Sequence, residues 1–151
     1  SIRSQLDLNE IHNCTILQAA VSDRDGAIAF STGTHTSTGH IKGGNRDGDT
    51  APVLSVQTLA LDQFSKKAIP PDFIKMDIEG AEVNALHGAA GTIRRFRPKL
   101  AISVYHNLSD FAEIPLFLDS LGAGYDFYLD HYTIHLEETI LYGVPAQTDD
   151  T

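Results

Sequence analysis

The sequence has no tryptophan, one methionine and one cysteine, and only 8% of its 151 residues are aromatic. With Cys14 as the single cysteine, an intrachain disulfide is excluded, and cysteine pairing does not indicate a redox compartment. Its apolar neighbours in CTIL (residues 14–17) predict a small buried thiol in a core strand rather than a reactive one. Long hydrophobic runs are missing as well. No stretch approaches the ~20 apolar residues that span a bilayer, and no charged-then-apolar signal segment opens the chain. Ser1 stands where an initiator Met would, which suggests a processed, trimmed or excerpted chain. Basic charge is scarce too: 11 Lys and Arg face 20 Asp and Glu, for a formal net charge of −9. Such a surface repels phosphate backbones, so nucleic acid and anionic membranes are poor partners. A cytoplasmic location is the expectation.

What remains is ordinary globular material, 42% hydrophobic and 21% charged, long enough for one domain with a real core. Residues 1–146 are expected to form that domain, and residues 147–151 a disordered polar tail. Residues 2–11 suggest a helix, residues 14–21 a strand, and Asp23-Arg24-Asp25-Gly26 a tight hairpin turn into a returning strand at 27–30. Residues 31–51 are crowded with Gly, Ser, Thr, Asn and Asp and read as a polar loop or flap. His35 and His40 inside it have no further ligand at metal-binding spacing, so a solvated loop is the better reading.

The centre of the chain is PDFIKMDIEGAE, residues 71–82. Phe73, Ile74, Met76 and Ile78 make a nearly continuous apolar run, as in a strand buried on both faces. Asp77 and Glu79 stand where that run ends, and Gly80-Ala81-Glu82 opens a helical pattern with apolar residues at Val83, Leu86, Ala90, Ile93 and Phe96. Gly88 and Gly91 predict a bend or a close backbone contact within that helix. KLAISVY (residues 99–105) is a second apolar strand. A helix follows, with Asp110 and Glu113 spaced as a capping box, and then a hairpin made from residues 125–130 and 139–144. The order argues for an α/β domain with parallel central strands and an antiparallel edge, whose ligands bind beyond the carboxyl ends of the strands.

FIKMDIEGAE, followed by a helix and His87-Gly88, resembles the core motif of FkbM-type methyltransferases. RPKLAISVYHNLSDFAEIPLFLDSL (residues 97–121), YDFYLDHYT with ETILYG (residues 125–143) and AAVSDRDGAIAF (residues 19–30) are similar to further blocks of that family in the same order. The resemblance implies a Rossmann-like class I methyltransferase sheet, mostly parallel with an antiparallel C-terminal hairpin, and S-adenosylmethionine as cofactor. The family's glycine-rich turn after its first strand, and the acid after its second, have no counterpart here; Gly43-Gly44 lies in the polar loop. The chain therefore resembles the C-terminal portion of such an enzyme, lacking the first two strands of the sheet.

On this resemblance, Asp77 lies beside the methionyl end of the cofactor and the acceptor, and Ala20, Val21 and Ser22 end the strand that nears the adenine. Methyl transfer to oxygen needs positioning and a base for the hydroxyl proton. His106 is the best base candidate, with Asp77 and Glu79 as its catalytic companions. Tyr105 and His131 would border the pocket of the acceptor, a sugar or other small polar molecule. Glu82 reads as a stabilising acid in a first helical turn, and His87 as structural. A divalent-cation site formed by Asp77, Glu79 and His106 is the lesser alternative, and no metal is assigned. Two rival functions stand beside methyl transfer: a non-catalytic acceptor-binding domain that has lost the cofactor half, and a hydrolase using Asp77 and Glu79 as paired carboxylates. Nothing in the sequence indicates an oligomeric state.

Overall fold

The computed structural model describes residues 1–31, 40–41, 53–134 and 138–147. The expectations for His35, for most of the 31–51 loop and for the end of the polar tail lie outside the described residues. The elements are α1 (Ile2–Leu8), β1 (Ala20–Val21), β2 (Gly26–Ser31), β3 (His40–Ile41), β4 (Val53–Leu59), α2 (Leu61–Phe64), β5 (Phe73–Met76), α3 (Glu82–His87), α4 (Ala90–Phe96), β6 (Lys99–Ser103), α5 (Asp110–Ser120), β7 (Tyr125–His131) and β8 (Thr139–Pro145). Among the described residues no helix is long and apolar enough to cross a membrane.

The strands form two four-stranded sheets, in the orders β1-β4-β2-β3 and β5-β6-β8-β7. This corrects the expectation that the strands are mostly parallel. Among the described residues only the β1–β4 and β5–β6 ladders are parallel, and the remaining ladders are antiparallel. The turn at Asp23–Gly26 does not make a hairpin of β1 and β2 either, because β4 lies between them. Gly26 is not among the glycines with positive φ, so the conformational freedom read into that turn is unused. Asp25 is used differently: its Oδ1 accepts a hydrogen bond from the Ala60 amide at 2.9 Å and secures the end of β4.

The core lies under the second sheet. Ile74 and Met76 of β5, Leu100 and Ile102 of β6, and Leu141 of β8 meet Leu86 of α3, Ile93 of α4 and Ile114 and Leu118 of α5. Fully burying a side chain of this size contributes about 1.5–3 kcal/mol, so this cluster is what holds the helices to the sheet. Burial along β5 alternates, with Phe73 55% exposed, which corrects the expectation of a strand buried on both faces. Helices cover one face of β5, and among the described residues β6 is its only ladder partner. The predicted long strand at 14–21 shrinks to Ala20–Val21, and Cys14 is exposed rather than a core thiol. With Ile16 and Leu17 also exposed, nothing described covers that segment as a core strand would be covered.

The single helix read after Gly80 is two helices, α3 and α4, broken at Gly88-Ala89. A Cβ on Gly88 would lie 2.0 Å from the Ser22 carbonyl oxygen, and the Gly88 carbonyl accepts a 2.7 Å hydrogen bond from the Asp62 amide. The break is thus where the first sheet and α2 meet the second unit. Asp62 then caps α4 from outside, accepting from the amides of Gly91 and Thr92 at 2.9 and 2.6 Å and from the Thr92 hydroxyl at 2.7 Å. At the other end, Arg97 takes a left-handed conformation (φ 48°) before Pro98 stops the helix. Its Nη2 donates to the carbonyls of Gly124 and Ala146 at 2.9 Å. The capping box expected of Asp110 and Glu113 is absent: Ser109 is the N-cap residue, and buried Asp110 accepts from the backbone and side chain of Asn107. Pro115 falls well inside α5, beyond the first turn in which a proline is readily tolerated.

Because a methyl group at residue 88 would collide with backbone rather than with a movable side chain, Gly88→Ala is expected to destabilise the fold by about 2–3 kcal/mol. Thermal unfolding beside a surface Ala112→Gly control checks this; an unchanged midpoint for Gly88→Ala would refute the close approach.

Candidate active site

The parallel register of β5 and β6 aligns Met76 with Ile102, so the two strands release their chains side by side at the carboxyl end of the sheet. Beyond β5 come Asp77, Ile78, Glu79 and Gly80; beyond β6 come Val104, Tyr105, His106 and Asn107. Glu79 and Gly80 are both left-handed, at φ 57° and 90°. For Glu79 this conformation costs about 1–2 kcal/mol, so the tight turn has to be held from elsewhere. Glu82, the first residue of α3, holds it: its Oε1 accepts the Ile78 amide at 2.7 Å. The turn also rests on the second loop, since a Cβ on Gly80 would meet Asn107 Nδ2 at 3.2 Å and His106 Cβ at 3.7 Å.

Three carboxylates surround one imidazole. His106 Nδ1 is 3.0 Å from Glu82 Oε1, while Nε2 is 3.6 Å from both Asp77 Oδ1 and Glu79 Oε2. The His106 side chain is 10% exposed, Glu82 is fully buried, and Asp77 and Glu79 are 40% and 49% exposed. The Nδ1–Glu82 contact is close but poorly aligned for a hydrogen bond, and neither Nδ1 nor Glu82 Oε2 has a hydrogen-bond partner. Lys75 Nζ, 3.5 Å from Asp77 Oδ2, is the basic group paired with this cluster, on the side away from the ring.

Tyr105 stacks obliquely on His106, ring centroids 4.2 Å apart, and donates its hydroxyl to Asp77 Oδ1 at 3.2 Å. Removal from water pushes its phenol up to about 12, and the charge of Asp77 and its hydrogen bond add to the rise. The Tyr105 hydroxyl therefore stays a donor throughout the physiological range.

Of the residues singled out in the sequence, Asp77, Glu79, Tyr105 and His106 thus converge. His131 stands at the same end of the sheet but two strands out, its Nδ1 2.8 Å from Thr139 Oγ1. Ala20, Val21 and Ser22 end β1, where Ser22 abuts Gly88 at the far end of α3 from Asp77. His87 packs on Phe117, with ring centroids 4.4 Å apart. Glu82 was read as a helix-stabilising acid, and its place in the cluster was missed. Its spacing, three residues beyond Glu79 in a first helical turn, could have suggested that it shares the turn's space; its burial against His106 is tertiary.

The methyltransferase FkbM domain family matches residues 2–127, and the chain belongs to that family. Among solved structures, the crystal structure of methyltransferase FkbM from Methylobacillus flagellatus KT is similar, with a TM-score of 0.70 and 25% identity. The match covers 94% of this chain and 32% of that one, so the chain spans about a third of its length. No curated protein matches.

An elevated Tyr105 phenol is checked by absorbance titration of the parent against Tyr105→Phe. The signal lost in the variant should belong to the fraction titrating near pH 12, and Asp77→Asn should move it toward 10. Since the folded value lies above the unfolded one, the associated stability is fully present below pH 10 and is lost as pH rises through 12. A Tyr105 signal at 10 would show that the phenol is free of Asp77.

Proposed function

We propose that this chain is the acceptor-side portion of an S-adenosylmethionine-dependent O-methyltransferase acting on a hydroxyl of a sugar or other small polar molecule. The observation that carries the reading is the convergence of Asp77, Glu79 and Glu82 on His106, at the carboxyl ends of β5 and β6, in a chain of the FkbM family. When bound, S-adenosylmethionine supplies an electrophilic methyl group on a sulfonium.

The residues present fit one end of that cofactor. Exposed Asp77 and Glu79 make the crevice anionic, which favours a sulfonium and an α-ammonium group. The other end is unprovided among the described residues: none of the strands in parallel ladders, β1, β4, β5 and β6, is followed by a glycine-rich turn, and Ala20–Val21 belongs to a separate sheet from β5. Two further strands between β1 and β5 would join the sheets, and a turn between them would supply that contact. This supports the reading of the chain as part of a larger enzyme.

In the acceptor half, His106 Nε2 faces the crevice and is placed to take up the hydroxyl proton, with Glu82 behind Nδ1 to orient the ring. Asp77, held by Lys75 and Tyr105, positions the acceptor hydroxyl beside it.

Calorimetric titration of the 151-residue chain with S-adenosylmethionine is expected to give a Kd weaker than about 1 mM, a binding energy near −4 kcal/mol. Submicromolar binding would overturn the division into halves. In an enzyme with the glycine-rich turn supplied upstream, His106→Ala should lower methyl transfer by about 10²–10⁴-fold with cofactor affinity spared. Unchanged turnover would remove His106 from the reaction.

A further inference from the structure

Inside the Asp77–His106 crevice the spacing of the polar atoms fits neither hydrogen bonds nor free side chains. His106 Nε2 is 3.6 Å from Asp77 Oδ1 and 3.6 Å from Glu79 Oε2. Direct N–H···O bonds need about 2.7–3.2 Å, so neither contact is one. Two atoms each about 2.2 Å from a common ion lie about 3.1 Å apart at an angle of about 90° and about 3.6 Å apart near 110°, so contacts of this length are within a small side-chain movement of sharing one ion. His106 is nine-tenths buried, and its ring makes no hydrogen bond in the structure. A nine-tenths-buried imidazole whose Nε2 faces two carboxylates outside hydrogen-bond distance, and whose Nδ1 has no hydrogen-bond partner, is an observation beyond the acidity of the cluster, and it points to a cation as what the three groups can share.

The opposite edge of the ring agrees. An imidazole that binds a metal through one nitrogen almost always offers the other to a carboxylate or carbonyl. Here Nδ1 stands 3.0 Å from Glu82 Oε1, and a small rotation of the ring aligns the two. One donor atom each from Asp77, Glu82 and His106 lies within 4.8 Å of the others, and Glu82 Oε2 is buried without a donor. Three carboxylates against Lys75 leave a formal charge of −2 around the ring, which a divalent ion would balance.

We infer that this crevice is a divalent-cation site, with His106 Nε2 and Asp77 Oδ1 as ligands, half-exposed Glu79 swinging in as the third, and Glu82 orienting the histidine from behind. Two carboxylates and one imidazole are a mixed hard and borderline donor set, which suits Mn²⁺. Three protein ligands leave positions open for the oxygen of an incoming hydroxyl, whose proton a bound cation makes easier to lose, here to solvent water at the open crevice. In this form His106 serves as a ligand rather than as the base. That role for the ion rests on the methyltransferase reading; its binding does not.

The test uses Mn²⁺ alone. Calorimetry of the chain, with loss of the free-Mn²⁺ paramagnetic resonance signal as a second readout, should show one equivalent bound. Asp77→Asn and His106→Ala should each weaken binding tenfold or more, and Glu82→Gln by about 10–100-fold. Glu113→Gln, an exposed acid elsewhere, should leave it unchanged. Asp77 is partly exposed, so Asp77→Asn should keep the parent circular dichroism and melting temperature, separating lost binding from lost fold. No binding, or binding equal in the parent and Asp77→Asn, overturns the cation site. Methyl transfer that survives chelation in an enzyme without Mn²⁺ affinity would sink this inference and spare the methyltransferase reading. Mn²⁺ binding in an enzyme that transfers no methyl group would do the reverse.

Discussion

The carboxylate of Glu82 is the constraint on which the rest of the site depends. It has no access to water, and a buried carboxylate is tolerated only where charge or hydrogen bonds compensate it. One compensation is the Ile78 amide, which closes the turn through the left-handed Glu79 and Gly80. The other is the imidazole of His106, delivered by a different strand. The same side chain therefore sets the path of the chain leaving β5 and the face that His106 presents to the crevice. A strained turn, a buried acid and a half-paired histidine are each unfavourable alone; together they form one arrangement.

That arrangement is positioned by a frame of small, specific contacts around the core of the second sheet. Asp62 binds the start of α4 and, through its own amide, the Gly88 carbonyl. Gly88 admits the Ser22 carbonyl where no side chain would fit. Arg97 ties the end of α4 to both ends of the β7–β8 hairpin, and Arg94 Nε reaches the Leu121 carbonyl at the end of α5. The apolar cluster supplies adhesion without direction, and these polar contacts supply register. The first sheet, joined to this frame near Gly88 and by the packing of Val21 on the core, is held at one corner.

Negative charge concentrates where the two parallel strands end. The overall charge of −9 disfavours anionic partners, but among the described residues carboxylates are set around a buried nitrogen in this crevice alone. A site of that character favours a positive group. The sulfonium of the proposed methyl donor and the proposed divalent ion both answer that description.

The motif FIKMDIEGAE, its place at a strand end and the approach of His106 were legible from the residues, because a short apolar run followed by acids and a glycine leaves few local solutions. The hairpin of β7 and β8 was equally plain from alternation in YDFYLDH and TILYGV. Cys14, by contrast, has apolar neighbours yet lies in the open, since burial depends on what covers a segment and not on its own composition. The insertion of β4 between β1 and β2 is a non-local pairing that no turn signal encodes. Glu82 follows the same division: its presence in a first helical turn is a property of the sequence. Its burial against His106 arises only when two strands 26 residues apart lie in parallel register, because that alone excludes water from between them.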